Sequence, residues 1–311
     1  MHDHPLARPT ISQSIRRELN RVLVLAFVSA LAAASVAPAT ENAAGLAPGE
    51  TAGALVIVGG GGLPDVVRDR FLELAGGKLA RLVIIPTASN RADRPELLKS
   101  FAFWKAQNVA SVQVLHTRDP KQANDPAFAK PLKEATGVWL TGGDQARLVA
   151  AYHGTLVEHE LQKLLGRGGV IGGTSAGAAV MSHLMIQGGN PLPRIGEGFG
   201  FLTGMVVDQH FENRHRLERL LDVVIKNPTY LGLGIDEQTA VVVKGHTLTV
   251  LGNAQVRLCL PSSGQKQVKV QVLKAGEQVD LDSLHRPTLV GNVPASSSKP
   301  KAPLERGALA P

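Results

Sequence analysis

Ser175 stands among small residues in the segment Gly172-Gly173-Thr174-Ser175-Ala176-Gly177-Ala178-Ala179, and that spacing could make its hydroxyl a nucleophile. A short apolar run at residues 169–171 precedes it, and a helical pattern over residues 178–185 follows. A strand that turns sharply into a helix holds the turn residue in a strained backbone and presents its side chain at the top of the turn. Glycines on either side leave room for a substrate to come close. The first N–H groups of the helix point unpaired at the place where a carbonyl oxygen would gather negative charge. The same eight residues also fit a plain Gly/Ala turn with serine as helix cap. A base and an orienting acid decide between the two.

A serine hydroxyl needs a base within hydrogen-bond reach. The histidines after Ser175 are His183, His210, His215, His246 and His285. His183 is expected on the nucleophile's own helix, about two turns on and unable to reach back. His215 lies between Arg214 and Arg216 in a polar helical stretch, His246 lies in a Lys-Gly-His turn, and His285 opens the C-terminal tail. His210 ends the apolar run of residues 205–209, so it is expected on the same rim as the serine. The third group must orient the imidazole and stabilise its charged form. Asp236 and Glu237 lie between two apolar strand segments, an unusual place for charge unless it is paired. Strand alternation turns them to opposite faces, so one of the two is expected to serve. Capping of a β-turn is the alternative reading of both.

The elements that must position these groups alternate. Apolar runs at residues 54–58, 81–86, 111–115 and 137–140 read as strands, with helical patterns after Pro64 and over residues 95–108 and 145–165. Such alternation predicts an α/β fold, a mostly parallel sheet flanked by helices on both faces in flavodoxin-like fashion. Sites in these sheets lie beyond the carboxyl ends of the strands. The glycine runs Gly59–Gly62, Gly142-Gly143 and Gly172-Gly173 all fall there and are expected to converge on one crevice. The first run lacks the spaced G-x-G-x-x-G of a dinucleotide site, so it reads as room for backbone approach. Further on, strands are expected at 205–208, 233–235 and 240–243, with a helix over 214–226. Short antiparallel C-terminal strands at 248–250, 256–260 and 268–272 should extend or flank the sheet, without a second core.

Residues 1–39 read differently. Arg16, Arg17 and Arg21 precede an uncharged apolar run to about Ala37, and Ala37-Pro38-Ala39 fits an A-x-A cleavage site. That is the layout of a secretory signal peptide, with a run short for a membrane span of about 20 apolar residues, and an uncleaved anchor is the alternative reading. A linker over 40–52, a single α/β domain over 53–285 and a disordered basic tail over 286–311 complete the expected organisation. The net charge of +7 comes mostly from the two ends, so a nucleic-acid-binding face is not implied. Cys259 is the only cysteine, which excludes an intrachain disulfide and a Cys-based zinc site. No H-E-x-x-H or comparable ligand pattern is present, so no metal or organic cofactor is expected.

Four motifs together resemble the cyanophycinase family of serine peptidases: Gly142-Gly143-Asp144-Gln145, the Gly-Gly-Thr-Ser-Ala-Gly-Ala-Ala segment, Asp208-Gln209-His210-Phe211 with Arg214, Arg216 and Arg219, and Gly234-Ile235-Asp236-Glu237. The likeness covers roughly residues 50–260. Dipeptidase E, an α-aspartyl dipeptidase with a class I glutamine-amidotransferase-like fold, is a more distant relative of that family. The resemblance implies a triad of Ser175, His210 and Glu237, with Glu237 taken over Asp236 on that ground. It implies oxyanion donors at the backbone N–H groups of Gly143 and Ala176, and a substrate pocket lined by Gln145, Asp208, Gln209, Arg214 and Arg216. Arg214 and Arg216 would fork onto substrate carboxylates, Asp208 would meet a substrate guanidinium, and Arg219 is expected on a solvated helix face. The order Ser, His, acid differs from that of α/β-hydrolases. The implied activity is hydrolysis of cyanophycin, a poly-aspartate chain with arginine on each β-carboxyl, to β-Asp-Arg dipeptides by an exported enzyme. Residues 187–203 form a shorter segment than the family's, which favours other α- or β-aspartyl peptides as the alternative. A silent exported binding protein is the non-enzyme reading. The expected partners are the peptide or cyanophycin substrate, with no nucleic acid, no stable membrane association after signal cleavage, and a homodimer left open.

Overall fold

Ala-Leu-Val-Ile-Val is apolar at every position, and the strand it forms, β1 (Ala54–Val58), is buried along its whole length. Leu55 and Ile57 face one apolar cluster, while Ala54, Val56 and Val58 face another. A strand covered on both sides must read this way, because neither face meets water. The computed structural model describes residues 52–94, 96, 101–262 and 267–285. The signal peptide and tail expected at 1–39 and 286–311 lie outside the described residues, as does nearly all of the linker at 40–52.

Pro64 starts α1 (Asp65–Leu74), which buries Val67 and Phe71. Then come β2 (Arg81–Ile85), α2 (Ala102–Lys105), β3 (Ser111–Val114), α3 (Pro120–Ala123), α4 (Pro126–Glu134) and β4 (Gly137–Leu140). Of the helix expected over 95–108, residues 95 and 97–100 lie outside the described residues. Phe101 and Trp104 are buried together. The helical pattern over 145–165 is two helices, α5 (Gln145–Tyr152) and α6 (Leu156–Gly166). Gly154, at φ 70°, breaks it, and its N–H donates to the Glu158 carboxylate at 2.6 Å. β5 (Val170–Thr174) delivers the chain to Ser175 and α7 (Ala176–Ala179).

That helix is four residues long, not the run over 178–185 expected from sequence. The carbonyls just beyond its last residue are taken by a returning segment instead of a further turn. Phe199 N donates to Val180 O, Leu202 N to Met181 O and Gly198 N to His183 O. His183 therefore leaves the helix, half-exposed, and approaches Glu197. The chain continues into a hairpin of β6 (Leu184–Gly188) and β7 (Arg194–Glu197).

β8 (Met205–Gln209), α8 (Leu217–Lys226), β9 (Leu231–Ile235), β10 (Thr239–Lys244), β11 (Thr247–Gly252), β12 (Gln255–Pro261), β13 (Val268–Lys274), β14 (Gln278–Asp280) and α9 (Leu281–His285) follow. Among the described residues, eight strands form the main sheet in the order β14-β11-β10-β1-β5-β4-β2-β3. The five from β1 to β3 are mutually parallel, and β10, β11 and β14 extend them antiparallel. The α/β class and flanking helices agree with the sequence reading. The expectation of no second core fails. β8 and β9 pair in parallel and join β12 and β13 in a second sheet, β13-β12-β9-β8. Under α8 this sheet builds a small core of its own, with Val206, Phe211, Leu220, Val223, Val224 and Cys259. α8 carries its apolar residues on one side, and a crossover helix must bury that side against the strands it connects. Burial pushes the Cys259 thiol up to about 12, so it stays protonated and inert.

Candidate active site

Ser175 has φ 54° and ψ −109°, a left-handed conformation that only the surrounding structure can hold. Its N–H donates to Val58 O at 3.0 Å, and its carbonyl receives Ala178 N and Ala179 N at 3.0 and 2.9 Å. The turn is this tight because α7 packs backbone to backbone on β5 and on its neighbour β4. A Cβ on Gly173 would stand 2.4 Å from Gly177 O, and one on Gly177 would stand 2.2 Å from Leu140 O.

His210 comes to the same place from the other sheet. It leaves β8 at φ 50°, and its N–H donates to Gly59 O at 2.7 Å, tying the end of β8 to the loop after β1. The imidazole lies flat over that loop: a Cβ on Gly60 would stand 2.2 Å from His210 Cε1. His210 Nε2 is 2.8 Å from Ser175 Oγ, and Nδ1 is 2.5 Å from Glu237 Oε1. With the proton on Nδ1, that N–H donates to the carboxylate and the serine O–H donates to Nε2. Gln238 N donates to Gly60 O, holding the acid's turn to the same glycine loop. Close backbone approach at Gly59–Gly62 is legible in the sequence, but the identity of the approaching group, the imidazole, is not. The signal was four glycines together after a strand.

Asp236 turns the other way, as alternation required. Its carboxylate accepts from Glu212 N at 3.1 Å and from Arg257 Nη1 at 3.3 Å. Burial lowers the His210 pKa below its ordinary value, outweighing the hydrogen bond to Glu237 that raises it, and the charge of Arg214 lowers it further. The imidazole is thus neutral at neutral pH, the form that can accept a proton. His215 and His246 take no part in this chain of bonds; His246 pairs with Asp282.

Gly142 lies against Ser175, where a Cβ would stand 3.5 Å from the Ser175 Cβ. Gly143 follows at φ 143°. Among the described residues, neither the Gly143 nor the Ala176 N–H meets an acceptor, so both are free to receive one from outside the chain.

The residues expected to line the pocket are more engaged with one another than the sequence suggested. Gln145 is buried, and its Nε2 donates to Ile186 O and Gln187 O at 2.8 and 2.9 Å, fastening the β6–β7 hairpin. Asp208, 1 % exposed, accepts from Arg216 at 3.2 Å and from Arg219 through both carboxylate oxygens. It is therefore not available to a substrate guanidinium, a correction to the sequence reading. Arg219 is corrected with it: instead of a solvated face it has a bidentate bond to Asp208 and a third bond to Gly189 O. Arg216 also donates to Gln209 O and to Gln209 Oε1, the latter at 2.8 Å. Burial, together with Arg219 and Arg214 nearby, lowers the Arg216 pKa to about 10 against the pull of Asp208. Its buried Nε has no partner among the described residues. Arg214 is exposed. Two buried guanidiniums thus share the Asp208 carboxylate, and the charge of the exposed Arg214 reaches His210.

Known proteins give a consistent background. Residues 55–251 match the family model of peptidase family S51. The chain is 36% identical over 214 residues to a cyanophycinase of Geminocystis herdmanii strain PCC 6308, covering 64% of this chain and 78% of that protein. It is 35% identical over 232 residues to a cyanophycinase of Trichormus variabilis strain ATCC 29413 / PCC 7937, covering 69% and 76%. A crystal structure of a peptidase from an acI-B1 Actinobacterium superposes with a TM-score of 0.59 at 24% identity, over 75% of this chain and 98% of that one. At that identity the likeness bears on the fold.

Proposed function

The chain belongs to peptidase family S51 and is a serine-type peptidase, and from that premise we propose that it is an exported enzyme hydrolysing cyanophycin to β-Asp-Arg dipeptides through Ser175, His210 and Glu237. One observation carries the reading: hydroxyl, imidazole and carboxylate stand in line at 2.8 and 2.5 Å. In the proposed reaction His210 Nε2 takes the Ser175 proton as Oγ attacks the scissile carbonyl carbon. The carbonyl oxygen becomes an oxyanion held by the Gly143 and Ala176 N–H groups. Glu237 stabilises the imidazolium, which then gives its proton to the leaving amine. Water, deprotonated by His210, releases the acyl group from the serine and restores the site.

The exposed Arg214 guanidinium supports a substrate carrying carboxylates, since charge-assisted bonds to carboxylates are among the stronger ones. Export rests on residues 1–39. Incubating the purified chain with cyanophycin should yield β-Asp-Arg by mass spectrometry, and Ser175→Ala should yield none. No product from the wild type would remove the substrate claim.

A second reading, cleavage of other α- or β-aspartyl peptides, draws on Asp208. Since that carboxylate is already paired with Arg216 and Arg219, the arginyl arm of cyanophycin lacks the partner expected for it. Product analysis on α- and β-linked aspartyl dipeptides separates the two readings.

A further inference from the structure

Three successive carbonyls in the loop after β2 are each held by an arginine from elsewhere in the chain. Arg118 donates through Nη1 to Thr87 O at 3.3 Å and through Nη2 to Ser89 O at 2.8 Å. Between them, Arg147 Nη1 donates to Ala88 O at 3.1 Å. A planar fork of donors suits this task in a way a single ammonium does not. Asp93 steadies Arg118, its Oδ2 accepting from Nε at 2.9 Å, and its Oδ1 meets His116 Nε2 at 2.9 Å. His116 Nδ1 meets Thr87 Oγ1 at 2.8 Å, and Thr87 Oγ1 meets the Tyr152 hydroxyl at 2.7 Å. Asp93, His116 and Thr87 thus line up as carboxylate, imidazole and hydroxyl. Thr87 is fully buried, so this chain of bonds can brace the loop but offers no face to a substrate.

What rests on the braced loop is the strap of residues 142–144. Ala88 O also accepts from Asp144 N at 2.9 Å. Gly143 passes so close that a Cβ there would stand 2.2 Å from Ala88 O. At its other end the strap touches the Ser175 side chain through Gly142. The Ala88 carbonyl therefore fixes the Gly143–Asp144 peptide and crowds the Gly143 Cα, which together set how the Gly143 N–H enters from Gly142; Arg147 holds that carbonyl, and Arg118 holds the carbonyls on either side of it.

We propose that Arg118 and Arg147 are positioning residues that aim the Gly143 N–H at the developing oxyanion by fixing the carbonyls of residues 87–89. The proposal rests on the reading of Ser175 as nucleophile and Gly143 as oxyanion donor. Arg118 is exposed and Arg147 half-buried, so replacing either leaves the core untouched.

The test is the rate at which a fluorophosphonate labels Ser175, a readout independent of substrate identity, with thermal unfolding measured alongside. Losing one oxyanion donor costs about 10²–10³ in kcat, and a misdirected donor should cost part of that. Arg118→Met and Arg147→Met are expected to label about ten- to hundredfold more slowly, with kcat falling in step and KM within about twofold. Arg147→Lys should stay near the wild-type rate, since an ammonium can still hold one carbonyl. Arg118→Lys should remain slow, because it cannot span two carbonyls and Asp93. Wild-type labelling rates in both methionine variants, or losses that only follow lowered melting temperatures, would overturn the proposal. A wild-type chain that takes no label at Ser175 would instead strike the nucleophile reading beneath it.

Discussion

At the scale of residues, the site is held together by backbone conformations that L-amino acids avoid. Ser175, His210 and Gln238, the neighbour of Glu237, have φ of 54°, 50° and 54°. Each such residue costs about 1–3 kcal/mol and persists only where its surroundings over-determine it. Here the surroundings are Val58 O behind the serine, Gly59 O behind the histidine and Gly60 O behind Gln238, three successive carbonyls running from the end of β1 into the loop after it. The loop must be glycine at residue 60, since any side chain there would occupy the space of the imidazole. The same burial lowers the His210 pKa, and the sign of the consequence is definite. An imidazolium cannot accept the serine proton, so kcat/KM should rise as pH climbs through the folded-state pKa of His210. A pH–rate profile should place the midpoint of that rise below about 6.5, the ordinary imidazole value. A midpoint above it would contradict the burial argument.

At the scale of elements, the β6–β7 hairpin borders the site and is moored to it by polar bonds. Gln145 holds its first strand, Arg219 holds Gly189 O, and Asn190 Nδ2 donates to Arg214 O. Arg219 also satisfies the buried Asp208, so removing it strands a carboxylate with Arg216 as its remaining ionic partner. Arg219→Met should lower stability by about 3–5 kcal/mol in denaturant titration. Arg219→Lys should recover little, because one ammonium cannot replace a bidentate fork and a third bond. An unchanged midpoint in both variants would mean the clip carries no weight. The parallel strands were legible in the sequence because burial on both faces leaves unbroken apolar runs, as in β1. Helices α3 and α4 are marked in the sequence as well, where Asp119-Pro120 and Asp125-Pro126 each announce a capped start, with the aspartate accepting the N–H two residues on. The break between α5 and α6 was equally visible in Gly154. The shortness of α7 was not, because it depends on N–H groups of residues 198, 199 and 202 arriving from elsewhere in the chain.

At the scale of the whole molecule, the site lies where two sheets meet. Ser175 comes from β5 of the larger one and His210 from β8 of the smaller, and the loop after β1 joins them. Sequence put both residues at strand ends, which was enough to select them, but it could not separate one sheet from two. Periodicity reports burial of a strand and not which neighbour it pairs with. The state of Asp208 was illegible for a related reason: an acid near three arginines reads alike whether its partner is the substrate or the chain itself. Export belongs to this scale too, and N-terminal sequencing of the mature protein from the exported fraction should begin near residue 40, whereas a start at Met1 would contradict cleavage. Nothing in the proposed chemistry needs a second chain or an added group, so the purified protein should carry it out alone. The most direct measurement is therefore intact-mass analysis after treatment with a fluorophosphonate, with the modified peptide sequenced. One adduct on Ser175, absent from Ser175→Ala and formed at least about a hundredfold more slowly in His210→Ala, is the predicted result. An unmodified wild-type chain, or an adduct formed equally fast without His210, would contradict it.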